Sequence, residues 1–292
     1  MNVLRDIFAP GLFSSAPVHT AALLGAVVAL VCAPAGLFIV MRGQSFAGHA
    51  FSDMTATGGS AAALAGVNPL AGLVSVSLVG AAFMGASGAE RQRGRDLATG
   101  TTLGAALGLS ALFLYLTTTT TSATGATVTV LFGSVFAVSS SDWPIVVGLG
   151  GCTVVLVLIL WRPLLLSSLS SELAAARGVR LRLVDTAHLA SVAIAVSLAA
   201  LCVGAILSTA LLVGPAAAGL RLGTSPGRAC AWAAGIGILS LWAGIVLAYD
   251  SYYWPPAHQG WPVSFFVVVL VVLCYSLARL GGRSSPQPKV GS

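Results

Sequence analysis

Residues 18–41 read VHTAALLGAVVALVCAPAGLFIVM, and Arg42 follows directly. A helix needs about 20 apolar residues to cross the hydrocarbon layer of a bilayer, and this run exceeds that without a single charged side chain. It is too long for the apolar region of a signal peptide, and the charges of Arg5 and Asp6 ahead of it cancel, so it is expected to remain as a membrane helix. The same pattern recurs along the chain. Further crossings are expected near 46–66, 69–89, 97–116, 144–161, 184–202, 204–221, 229–249 and 262–280. That makes nine, with eight possible, because residues 184–221 offer only 38 residues for two passes.

Composition agrees with this reading. The 292 residues are 57% hydrophobic and only 8% charged, with a mean hydropathy of +0.96. A soluble domain carries about 25% charged residues. The expected fold is therefore all-α and polytopic: an external segment at 1–17, a transmembrane domain at 18–280 with a cytoplasmic segment at 162–185, and a disordered Ser/Pro/Gly-rich tail at 281–292. No stretch is long and polar enough for a separate soluble enzyme domain. The net charge of +6 does not indicate nucleic acid, because the basic residues lie between apolar spans, where they set orientation. Cys32, Cys152, Cys202, Cys230 and Cys274 all fall in or beside apolar spans without CxxC spacing and read as small core residues.

With Arg42 on the inside, Arg91, Arg93, Arg95, Arg162, Arg177, Arg180, Arg182, Arg221, Arg228, Arg279, Arg283 and Lys289 also fall inside, and only Arg5 falls outside. This asymmetry supports the span count and predicts an external N-terminus and a cytoplasmic C-terminus. Between the spans, the outer segment 117–142 opens with a Thr/Ser/Gly tract and continues into VTVLFGSVFAV, too short to cross and expected as an interfacial or re-entrant helix. The inner segment contains SSLSSELAAARGVR, where Ser170 or Ser171 is expected to cap a short helix that Gly178 ends, a candidate docking surface. Pro34 and Pro215 interrupt their spans, Asn68-Pro69 marks an outer turn, and Gly100, Gly104 and Gly108 form a ridge for close helix approach.

The second span, FAGHAFSDMTATGGSAAALAG, is the least apolar. It places His49, Ser52, Asp53, Thr57 and Ser60 on one helical face. An aspartate inside a membrane span is costly unless it meets water, a partner or a cation. An imidazole and a carboxylate one turn apart suit Zn²⁺ or Mn²⁺ better than Mg²⁺ or Ca²⁺, which makes His49 and Asp53 the candidate metal ligands. Two copies meeting along this face would bring two of each together. A self-neutralising His–Asp pair and a proton relay are the competing readings. Asp250 and His258, in the outer loop DSYYWPPAHQGW, form a weaker candidate site, for which an aromatic interfacial belt is the competing reading. His188 and His19 read as satisfied polar residues. No GxxxxGK[ST] phosphate loop is present and the sole lysine is Lys289, so ATP-driven work requires a partner; GxSxG and HExxH are absent as well.

Four blocks carry a resemblance. GLFIVMRGQSFAGHAFSDMTATGGSAAALAG, LFGSVFAVSSSDW, SSELAAARGV and VGAILSTALLVGPAAAGLRL occur in that order, and together they resemble the permeases of manganese/zinc/iron ABC importers, the ABC-3 type. The resemblance implies a fold like that of type II ABC importer permeases and a non-enzymatic transport subunit of an importer for divalent transition metals in a bacterial-type plasma membrane. It also implies a homodimer, two cytoplasmic ATPase subunits engaging Glu172, Ala176 and Gly178, an external metal-binding protein, and no resident cofactor besides the transported Zn²⁺ or Mn²⁺. Where that family usually has Asp followed four residues later by His, this chain has His49 followed by Asp53; Ser170-Ser171-Glu172 stands where an aspartate is common. An ion-coupled carrier and an ABC permease for a metal chelate or vitamin are the alternative functions.

Overall fold

A computed structural model describes residues 16–88, 92–120, 124–133, 135, 138, 142–253 and 260–281. They form twelve α-helices: α1 (Ala16–Met41), α2 (Ser45–Ala65), α3 (Pro69–Gly88), α4 (Gln92–Thr120), α5 (Thr124–Phe132), α6 (Trp143–Ile159), α7 (Trp161–Leu169), α8 (Ser171–Ala176), α9 (Leu181–Val203), α10 (Ala205–Leu222), α11 (Pro226–Asp250) and α12 (Val263–Gly281). Each of the nine expected crossings falls on a helix. Seven of the described helices are long and apolar enough to cross a membrane, eight if α6 and α7, bent by 56° at their junction, count as one span. The remaining expected crossing, α2, has 21 residues. At 1.5 Å per residue that length suffices, but its His, Asp, Ser and Thr side chains keep it below the hydropathy of a lipid-facing span. It forms because α3, α4, α9 and α10 enclose it.

The core is built on α1 and α9, in each of which 72% of the apolar window is buried. Leu24, Val28 and Ile39 of α1 pack with Val192, Val196 and Leu198 of α9, and Leu211 and Leu241 close the cluster from α10 and α11. Continuous helix runs through Pro34 and Pro215. On the other side of the bundle, α2 meets α3 through Gly58 and Gly72, each so close to the other's carbonyl that a Cβ would overlap it.

One expectation about the outer segment changes. The threonine tract is helix, because α4 continues to Thr120 with each hydroxyl bonded back to its own helix: Thr117 to the Phe113 carbonyl at 2.7 Å and Thr120 to that of Leu116 at 2.6 Å. The following apolar stretch does form a short helix, α5, whose nine residues are too few to span. Its end leans on the single residue between α9 and α10. There Gly133 (φ +73°) and Gly204 (φ +82°) touch backbone to backbone, a conformation and an approach that a side chain would prevent.

Candidate functional site

The polar residues of α2 divide between two seams. On the side facing α3, α9 and α10, Ser52 donates to the Ala205 carbonyl and accepts from Ser208 at 3.1 Å. Thr55 lies 2.7 Å from Ser77 and 3.4 Å from Ser197, and Ser197 donates to the Leu73 carbonyl at 3.0 Å. These hydroxyls are fully buried and bonded to one another or to backbone, which is how polar side chains hold membrane helices together. Ser52 therefore leaves the face it was expected to share with His49.

The second seam holds His49, Asp53 and Thr57. His49 Nε2 and Asp53 Oδ2 are 4.0 Å apart, with side-chain exposures of 52% and 14%. The separation is too wide for a hydrogen bond. A tetrahedral Zn²⁺ at about 2.0–2.1 Å from each ligand atom holds the two about 3.4 Å apart, so a small rotamer change brings this pair onto a shared ion. Asp53 Oδ2 is buried without a hydrogen-bond partner, an unsatisfied acceptor aimed into the interior. One turn along, the Thr57 hydroxyl lies 2.9 Å from the Asp53 carbonyl and 2.8 Å from that of Ala106 on α4. Among the described residues no group of three or more His, Cys, Asp or Glu gathers around the pair. The arrangement supplies one nitrogen and one carboxylate to a cation.

Of the weaker outer pair, only Asp250 is among the described residues. Asp250 is buried at the C-terminal end of α11, beside a closed corner where the Trp261 N–H donates to Ser251 at 2.8 Å. His258 lies outside the described residues. Trp261 is half-exposed and stacks on Phe266 at 6.1 Å, the arrangement of an interfacial aromatic belt.

At the opposite end of the bundle, Ser170 caps α8 by accepting from the Leu173 N–H at 3.2 Å, and Gly178 (φ +76°) ends the segment. Glu172, Ala176 and Gly178 are exposed, while Ala174 is fully buried and anchors the helix. A cavity of about 910 Å³ opens beside them, lined by Arg42, Glu172, Gly178, Arg180 and Asp185 among others. Its wall contains an ion pair that the sequence did not suggest: Arg42 with Asp185, their side chains 6% and 9% exposed. His188, one turn further along α9, was expected to be satisfied; instead its ring is fully buried, both nitrogens lack partners, and it lies edge-on to Phe38 at 6.2 Å.

Comparison with known proteins places this geometry. The model of the ABC 3 transport family matches residues 15–276. The high-affinity zinc uptake system membrane protein ZnuB of Haemophilus influenzae is 29% identical over 234 residues, 79% of this chain and 88% of that protein. The manganese transport system membrane protein MntC of Halalkalibacterium halodurans is also 29% identical over 234 residues, covering 79% and 78% of the two chains. In fold, the chain is similar to PsaBC from Streptococcus pneumoniae, solved with a Fab, at a TM-score of 0.75 and 22% identity, with 97% of this chain and 96% of that one covered.

Proposed function

Because the chain belongs to the ABC 3 transport family, we propose that it is the multi-pass, non-enzymatic permease subunit of an ATP-driven importer for a divalent transition metal ion, zinc or manganese. The observation that carries the cargo is the His49–Asp53 pair on a helix too polar to face lipid, with a buried carboxylate oxygen awaiting a partner. An imidazole nitrogen and a carboxylate oxygen are the donors that borderline divalent ions accept. The zinc and manganese named for the two relatives agree with that donor set.

In this reading the ion enters from the outer side, rests between His49 and Asp53, and leaves inward when ATP-driven helix movement disrupts its coordination. The permease contributes the ligand shell and the path; energy comes from ATPase subunits engaging Glu172, Ala176 and Gly178 on the inner face. Binding of those subunits biases the path toward one open side at a time, since a ligand shifts an equilibrium only by its unequal affinity for the two states. An external metal-binding protein delivers the ion, two copies of the chain pair in the membrane, and the N-terminus lies outside.

The test is uptake of ⁶⁵Zn or ⁵⁴Mn into liposomes holding the permease with its ATPase. ATP-dependent uptake that falls at least about tenfold in His49→Ala and Asp53→Asn, with complex assembly unchanged, is the expected result. Uptake without the ATPase would identify an ion-coupled carrier instead. Preference for a chelate over the free ion would identify a chelate permease.

A further inference from the structure

His49 and Asp53 give a cation two donors, and α4 presents another. Helices α2 and α3 pack antiparallel, as shown by the approach of Gly58 to Gly72 and of Met54 to Gly80. Helix α4 returns after α3, so α2 and α4 run in the same direction. Their register is fixed where the Thr57 hydroxyl meets the Ala106 carbonyl at 2.8 Å. One helical turn back from that contact stand Asp53 on α2 and Thr102 on α4, at the same level of the two helices.

Both carry an unsatisfied oxygen. Thr102 is 5% exposed, and its Oγ1, like Asp53 Oδ2, is buried without a hydrogen-bond partner. This is not the habit of threonine on α4: Thr101, Thr117, Thr118, Thr119 and Thr120 all bond back to carbonyls of their own helix. A buried hydroxyl that makes no bond of its own has its oxygen to offer to something that arrives.

We propose that the Thr102 hydroxyl oxygen is the third donor to the cation held by His49 and Asp53. The inference rests on the reading of that pair as a metal station and adds a ligand from the facing helix. One nitrogen, one carboxylate and one neutral oxygen make a set that accepts Mn²⁺ readily, since oxygen donors suit it. Because the third donor stands on α4, sliding of α2 against α4 separates the ligand set.

Equilibrium dialysis of ⁵⁴Mn against the purified permease–ATPase complex tests this. Thr102→Val, which keeps the shape and removes the oxygen, is expected to weaken binding by about tenfold or more. Thr102→Ser should bind like the unmodified chain, and Thr101→Val, whose hydroxyl is already bonded within the helix, should change nothing. A second variant reads coordination directly: Thr102→Cys loaded with Co²⁺ should gain a sulfur-to-cobalt charge-transfer band absent from the unmodified complex, in which no cysteine lies on α2, α3 or α4. Undiminished Mn²⁺ binding by Thr102→Val alongside loss in Asp53→Asn would overturn the proposal and leave the metal station standing, as would a cobalt spectrum without the new band. Failure of the unmodified complex to bind Mn²⁺ or Zn²⁺ would overturn both.

Discussion

Arg42 and Asp185 pair across 143 residues of sequence, with almost no access to solvent. Two charges withdrawn from water are tolerable together and costly apart, so Arg42→Met is expected to destabilise the fold by about 3–5 kcal/mol, while Arg42→Met with Asp185→Leu should recover most of it. Thermal melts in detergent would show the recovery or its absence. Ser170 offers a smaller case at the same scale. Its side chain accepts from the Leu173 N–H, and Ser170→Ala should cost about 1 kcal/mol, visible as faster amide exchange confined to α8. These residues differ in how far the sequence reveals them. His49 and Asp53 stand out because a charge four residues from an imidazole inside an apolar run has few structural excuses, and the cap of α8 is a local signal. The Arg42–Asp185 pair and the unsatisfied hydroxyl of Thr102 are products of which helices become neighbours, and no local pattern encodes that.

Glycine shows the same division among helices. Gly100, Gly104 and Gly108 follow the spacing of a packing ridge, yet all three are exposed, and a Cβ at any of them would meet nothing within this chain. Gly58 and Gly72, with no such spacing to advertise them, are where two helix backbones touch. Spacing identifies a smooth face, whereas only the fold says whether a helix covers it. Gly58→Leu is accordingly expected to force α2 from α3 at a cost of at least about 1–3 kcal/mol, lowering the melting temperature. Gly104→Leu should leave melting within about 0.5 kcal/mol of the unmodified chain. The helix boundaries were legible to within a few residues because apolar length is the bilayer's own demand. The exception, the extension of α4 through the threonines, depends on hydroxyls satisfying the helix's own carbonyls, which reads from sequence as a loop.

For the whole molecule, the distribution of basic residues is the strongest statement about direction. Thirteen of the fourteen lysines and arginines fall on one side if the nine expected crossings alternate, and a C-terminal green fluorescent protein fusion should then fluoresce, while a C-terminal alkaline phosphatase fusion should stay inactive. The opposite result would invert every crossing. Direction matters because the two ends of the bundle are built differently. At one end the short α5 rests on Gly204, whereas the other has an open cavity with the Arg42–Asp185 pair in its wall. Asp185 stands on α9 just beyond the α8 segment, and Arg42 stands three residues ahead of α2. One carboxylate, one guanidinium and one tight corner thus tether the rim of that cavity to the rod that bears His49.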